Sequence, residues 1–203
     1  MTCYIFGAGA FTAPDIPPAP EDYIIAADAG WLACRRAGIR PDLLLGDFDS
    51  LGQVPDFPNV ERVPVEKDDT DVMLAVKKGL ERGCRLFRIY GGMGGSRTDH
   101  TIANLQTLAY LARHGAQGWL YGPGETYTAI CNGSLTLPAR EEGIVSVFCM
   151  GPDARDVTIQ GAQYPLSNGV LTADFPLGVS NHFQGCPITI QVGEGLLLIG
   201  IHE

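Results

Sequence analysis

Short apolar or β-branched runs recur through the first half of the chain, separated by stretches whose apolar residues fall at helical spacing. Cys3–Phe6, Tyr23–Ala27, Leu43–Leu45, Val60–Val65, Leu86–Tyr90 and Trp119–Tyr121 read as strands. Ala29–Ala37, Thr70–Arg82 and His100–Arg113 read as helices, each followed by a glycine (Gly38, Gly83, Gly115) where a left-handed stop is expected. Val72, Met73, Val76 and Leu80 form one stripe on the second helix, and Ile102, Leu105, Leu108, Ala109 and Ala112 form one on the third. Strands alternating with amphipathic helices predict an α/β fold built on a mostly parallel, Rossmann-like sheet.

The pattern changes after Gly124. Tyr127–Cys131, Ile144–Met150, Asp156–Gln160, Gly169–Ala173, Ile188–Val192 and Leu196–Ile201 are strand-like, closely spaced and punctuated by Gly, Pro, Asn and Asp, with no helical stripe. This predicts an all-β sandwich or small barrel. The expected organisation is an α/β domain over residues 1–124 and a β domain over 125–203, joined near residues 122–128.

Composition narrows the functional classes. The 203 residues are 45% hydrophobic and 18% charged, an ordinary globular balance, and carry a formal charge of −9. A chain this acidic lacks the basic face that nucleic acid or an anionic membrane would need. It remains compatible with a nucleotide whose phosphates are met by a cation. The six cysteines contain no C-x-x-C pair and mostly fall in apolar runs, so they read as small buried hydrophobes rather than zinc ligands. Met1–Gly7 runs straight into a strand without a basic leader, and no apolar run approaches the roughly 20 residues that span a bilayer. The expected compartment is the cytoplasm.

Three aspartate-bearing motifs sit at strand-to-helix junctions. Gly46-Asp47-Phe48-Asp49-Ser50 follows Leu43–Leu45, where alternating carboxylates on an extended turn can aim at one cation, although Gly, Asp and Ser also make an ordinary Asx-turn. Lys67-Asp68-Asp69-Thr70-Asp71 opens the second helix, where Asp69 or Thr70 serves as N-cap and acidic residues suit the helix dipole. Gly91-Gly92-Met93-Gly94-Gly95 precedes Arg97, Asp99 and His100; glycines at such a turn imply close approach to the backbone, and Arg97 offers a forked cation for phosphate. No Walker loop or dinucleotide fingerprint is present. Carboxylate oxygens gathered at strand ends suit Mg²⁺, and Mg²⁺ suits nucleotide phosphates. Trp31 and Trp119 read as core residues, with Trp31 also placed to stack on a ring.

These motifs, in this order, together with Ala27-Asp28-Ala29-Gly30, Ala103-Asn104-Leu105 and Val179-Ser180-Asn181-His182-Phe183, resemble the thiamine pyrophosphokinase family over nearly the whole chain. The resemblance implies a homodimer whose active sites form between the α/β domain of one subunit and the thiamine-binding β-sandwich of the other. It implies transfer of the β,γ-diphosphate of ATP to the hydroxyl of thiamine, releasing AMP. Asp47, Asp49 and Asp71 would hold Mg²⁺ with Asp99 close by, and Asp71 or Asp99 would act as a weak base. Arg97 and Lys67 would bind phosphates; Gly94, Gly95, Asp28 and Gly30 would line the nucleotide site; Ser180 and Asn181 would contact thiamine. Departures from the family pattern are Ala29 in place of the first glycine of Asp-Gly-Gly, Met73 where an acid often stands, an inserted Ser96, and His182 in place of Glu. Two other readings of the same motifs are a diphosphokinase acting on another hydroxymethyl acceptor, such as a pterin, and a non-catalytic thiamine or nucleotide sensor.

Overall fold

The computed structural model describes residues 1–203 except Val65, Lys67 and Ser96 and the side chain of Ser50. The chain separates into two compact units, Met1–Thr107 with Gly118–Pro123, and Leu108–Gln117 with Gly124–Glu203.

In the first unit, β1 (Thr2–Phe6), β2 (Tyr23–Ala27), β3 (Leu43–Gly46), β4 (Val60–Arg62) and β5 (Leu86–Tyr90) run parallel in the order β5-β1-β2-β3-β4. Next to β5 lies β6 (Gln117–Gly122). Four consecutive residues of β1 and all of β3 are buried, as expected for parallel strands covered on both faces. The fourth strand is shorter than the sequence suggests, although Val63 N–H still reaches Gly46 O at 3.0 Å; Val65 lies outside the described residues.

The helices start and stop where local chemistry directs. Helix α1 (Gly30–Ala37) ends at Gly38, φ 68°, with Gly38 and Ile39 N–H groups returning to Arg35 O and Cys34 O. Thr70 caps α2 (Asp71–Glu81), its Oγ1 accepting from Met73 N–H at 3.2 Å. Beyond α3 (Thr98–Arg113), Gly115 adopts φ 66°. The stripe expected on α3 is misplaced. Ile102 is 56% exposed, and the buried face is Asn104, Thr107, Leu108 and Leu111. Polar residues occupy that face because their hydrogen bonds are made inside: Asn104 Nδ2 donates to Gly92 O at 2.7 Å, and Thr107 Oγ1 donates to Ala103 O at 3.0 Å. The first ten residues of α3 group with the first unit and the last six with the second.

The core on one side of the sheet joins Tyr4, Phe6, Ala26, Cys34, Leu44, Phe48 and Tyr90, with Trp31, Phe57 and Tyr121 packed against it. Phe48 belongs to this core although it lies beyond its strand.

The second unit holds two antiparallel sheets, the sandwich expected from the sequence. One has the order β12-β9-β14-β7, made of β7 (Glu125–Cys131), β9 (Ile144–Cys149), β12 (Gly178–His182) and β14 (Leu196–His202). The other has the order β11-β10-β13-β8, made of β8 (Ser134–Leu137), β10 (Ala154–Gln160), β11 (Leu166–Leu171) and β13 (Ile188–Gln191). Sequence pattern missed β8, which is only four residues long, and β12, whose ladder shifts register between Gly178 and Asn181 around Ser180 at φ 61°. All six thiols are free: Cys3, Cys34, Cys84 and Cys149 are buried, Cys131 is half-buried and Cys186 is exposed. Among the described residues, no helix is long and apolar enough to cross a membrane.

Candidate active site

Two strand ends build the acidic cluster. Asp28 follows β2 in a left-handed conformation, φ 49°, and its N–H bonds to Leu45 O at 2.8 Å. Gly46 closes β3 at φ 155°; a Cβ there would stand 3.0 Å from Asp28 Cα, so glycine lets the two strand ends meet. Asp47 comes next, then Phe48, also left-handed at φ 61° and only 2% exposed. The buried ring turns the chain between the flanking acids. Asp49 then opens a 3₁₀ turn, Asp49–Leu51, and its N–H donates to Asp47 Oδ1 at 3.1 Å. The segment is thus an Asx-turn with a left-handed centre, not the extended turn expected, and it still presents both acids to one place. Asp28, Asp47 and Asp49 each offer a carboxylate oxygen within 4.8 Å of the others.

Three anionic oxygens at that spacing repel one another, and a hard divalent cation relieves the repulsion with the donor chemistry it prefers. The residues present therefore fit Mg²⁺. A cavity of about 240 Å³ adjoins the cluster, lined by Asp28, Asp47, Asp69, Asp71, His100 and Asn104 among others. The sequence reading placed Asp28 on the nucleotide, not among the metal ligands. His100 and Asn104, which carry no assigned role in the sequence reading, both line this cavity. Asp69 is matched by Lys77 Nζ at 2.6 Å, and Asp71, the first residue of α2, lines the same cavity.

The glycine-rich turn after β5 has another reason for its composition. Gly7 N–H donates to Tyr90 O at 2.7 Å, Gly9 N–H to Gly91 O at 2.7 Å and Ala10 N–H to Met93 O at 2.9 Å. A Cβ on Gly91 would lie 2.4 Å from Gly7 O, so the close approach is between two strand-end loops. Gly94 and Gly95 continue with φ of 75° and 84°. Gly30 is similar: a Cβ there would fall 1.8 Å from Phe6 O, which gives this glycine a packing task of its own. Beyond the turn, Arg97 and Asp99 form an exposed fork, with Nη2 to Oδ2 at 2.6 Å and Nε to Oδ1 at 3.0 Å. That guanidinium pulls the Asp99 carboxyl down to about 2. Asp99 is not one of the three clustered acids. Lys67 and Ser96 lie outside the described residues.

Comparison with known proteins identifies the framework. Residues 19–120 match the family model described as thiamin pyrophosphokinase, catalytic domain, and residues 134–197 match thiamin pyrophosphokinase, vitamin B1 binding domain. The chain belongs to the thiamin pyrophosphokinase family. It is 27% identical to thiamine pyrophosphokinase from Bacillus subtilis (strain 168) over 92% of this chain and 91% of the relative. The crystal structure of thiamine pyrophosphokinase from Bacillus subtilis superposes with a TM-score of 0.88 at 25% identity, covering 100% of this chain and 99% of that one. The corresponding structure from Geobacillus thermodenitrificans gives a TM-score of 0.83 at 25% identity, with coverage of 100% and 98%.

Within the pyrophosphokinase framework, the vitamin-domain pair Ser180 and Asn181 have different surroundings. Ser180 is exposed, and its N–H donates to Ser146 Oγ at 3.1 Å. Asn181 is 5% exposed; its Oδ1 accepts from Tyr164 N–H at 2.8 Å and His182 N–H at 3.0 Å, while Nδ2 donates to Tyr164 O at 2.7 Å. Its carboxamide is largely committed to the main chain and holds exposed Tyr164 beside a shallow pocket of about 170 Å³. Asn181→Ala is expected to destabilise this pyrophosphokinase-family protein by roughly 1–2 kcal/mol, since it removes three part-buried hydrogen bonds to the main chain. Urea unfolding checks this, and an unchanged midpoint would return Asn181 to a purely ligand-facing role.

Proposed function

We propose that this chain is a thiamine diphosphokinase, transferring the β,γ-diphosphate of ATP to the hydroxyl of thiamine to form thiamine diphosphate and AMP. The observation that carries this reading is the convergence of Asp28, Asp47 and Asp49 on one point beside the cavity that Asp71 lines, in a chain of this family.

In this reading Asp28, Asp47 and Asp49 hold Mg²⁺, with Asp71 facing the same volume and Asp99 preceding His100, which lines it. When bound, the ion supplies charge neutralisation for the diphosphate oxygens. Arg97 exchanges part of its fork with Asp99 for phosphate oxygens, Lys67 supplies a second cation, and the Gly94-Gly95 backbone lines the phosphate path. Asp28 and Gly30 shape the strand end beneath the nucleotide. Diphosphoryl transfer needs in-line positioning more than a strong base. A carboxylate oxygen of Asp71 receives the hydroxyl proton as the bond forms; Asp99, held near 2 by Arg97, is the weaker acceptor. Ser180 meets thiamine, and Asn181 maintains the wall beside it. Both come from a second copy in a homodimer. The protein acts in thiamine diphosphate biosynthesis in the cytoplasm.

The test is AMP formation from ATP and Mg²⁺ with and without thiamine. AMP and thiamine diphosphate appearing in equal amounts, only with thiamine, is the expected result. AMP that ignores thiamine would reassign the acceptor, and no AMP would overturn the enzymatic reading.

A further inference from the structure

Neighbouring parallel strands are usually joined through a helix, yet residues 7–22, which connect β1 to β2, contain none. The proposed transfer gives this long segment no task. It starts as a strap along the glycine-rich turn: Gly7, Gly9 and Ala10 donate N–H groups to Tyr90, Gly91 and Met93. Gly7 and Ala8 also line the cavity beside the acids. A Cβ on Gly94 would lie 2.8 Å from Ala10 Cβ, so strap and turn stay close as far as Gly94. Asp22 fastens the far end, accepting from Thr2 N–H at 2.6 Å and Ala19 N–H at 3.0 Å. Pro14, Pro17, Pro18 and Pro20 fix φ at their positions in the span between. Among the described residues, the hydrogen bond that ties this span to the sheet is Tyr90 Oη to Asp15 Oδ1, at 3.0 Å.

The sheet is built to hold that bond in one place. The buried Tyr90 ring stacks on Tyr121, centroids 4.6 Å apart, and on Phe6 at 5.5 Å, so its hydroxyl has a fixed direction. Burial pushes the Tyr90 phenol up, so it stays protonated and keeps donating. Arg88 lies two residues earlier on β5 and therefore on the same face. Its Nη1 donates to Tyr121 Oη and stands 3.7 Å from Asp15 Oδ1. A phenol and a guanidinium thus converge on one oxygen of a carboxylate that is otherwise largely exposed. Tyr90 is bonded to the strap twice, by its carbonyl to Gly7 and by its hydroxyl to Asp15. The next residue is Gly91, whose φ of 66° opens the turn.

We propose that Asp15 is a positioning residue for the transfer, latching the strap through Tyr90 so that the glycine-rich turn is already ordered when the phosphate chain arrives. It acts through the strap and the turn and meets no substrate. Without the latch, the ordering of both segments is left to the binding step and is subtracted from affinity. The inference rests on the diphosphokinase reading.

Steady-state AMP formation and amide hydrogen exchange test this together. Asp15→Ala and Tyr90→Phe, which keeps the stacked ring, should each raise KM for Mg·ATP about 10-fold, the scale of one hydrogen bond to a charged group. KM for thiamine should not move. The double variant should be no worse than either single, because both remove the same bond. Asp15→Asn keeps an acceptor oxygen for the Tyr90 hydroxyl and should restore KM for Mg·ATP. In Tyr90→Phe without ligand, the amides of Gly9 and Ala10 should exchange about 10-fold faster while those of Leu44 and Leu45 do not, a local opening rather than a loosened domain. Unchanged KM for Mg·ATP in Asp15→Ala, losses that add in the double variant, or unchanged exchange at Gly9 and Ala10 would overturn the latch and leave the diphosphokinase reading standing. Equal rises in KM for both substrates would likewise reduce Asp15 to a structural role. If the unaltered protein forms no thiamine-dependent AMP, the parent reading falls and the positioning role falls with it.

Discussion

Asp47→Asn is expected to lower thiamine-dependent AMP formation by roughly 10³-fold, the scale of losing a charge-neutralising group worth several kcal/mol. Asp47 is chosen because it belongs both to the three-acid cluster and to the cavity lining. Asparagine retains the acceptor oxygen that receives the Asp49 N–H at 3.1 Å, so the turn survives while one charge is removed. Loss of activity can then be assigned to charge rather than to a collapsed loop. Calorimetric titration with Mg²⁺ and nucleotide supplies a readout independent of turnover, and affinity for the ion should fall in parallel. Retained activity together with retained Mg²⁺ affinity would dismantle the assignment of the cluster.

Gly30→Ala should have the largest effect on stability. A methyl at this position would be placed 1.8 Å from Phe6 O, and backbone on both sides of the contact leaves nothing soft to yield. The start of α1 would have to lift from the end of β1. A cost above about 4 kcal/mol is expected, enough to leave little folded protein in a marginally stable domain. Denaturant unfolding and circular dichroism measure this directly. The opposite result, a well-folded variant with weakened nucleotide binding, would show that Gly30 is kept for the ligand and not for packing. The contrast matters because the sequence reading assigned this glycine to the nucleotide, whereas its surroundings supply a sufficient reason in the fold.

Much of the architecture was legible because local signals agreed with tertiary ones. Strand runs, helical stripes and the stops at Gly38, Gly83 and Gly115 all pointed to a parallel α/β sheet, followed by short strands with turn residues between them. The acids were legible as a group because parallel strands deliver their carboxyl ends to one edge. Other features depend on neighbours distant in the chain. Nothing local marks Phe48 as left-handed, since a large aromatic residue disfavours that region; its burial in the core sustains the conformation. The inner face of α3 uses Asn104 and Thr107, which apolar periodicity discounts, because Gly92 and Ala103 carbonyls satisfy them. The glycines after β5 suggested a ligand, but Gly91 first accommodates the loop of Gly7. Asn181, expected as a substrate contact, also bonds the main chain of Tyr164 and His182, a task that only the folded β unit reveals.

The buried ring of Phe48 has a consequence for how this protein can change over evolutionary time. It lies between Asp47 and Asp49 in the chain and touches the same core as Tyr4, Phe6 and Leu44. The separation of the two charges is therefore inherited from the hydrophobic interior, and volume changes in that interior propagate to the acids as displacement. With the metal-holding role proposed above, substitutions there would not drift on stability alone, because each one would also retune cation affinity. Conversely, any ion that binds only the folded arrangement adds its binding free energy to folding. On that proposed role, selection for tighter metal binding and selection for a better-packed core would act on one set of residues.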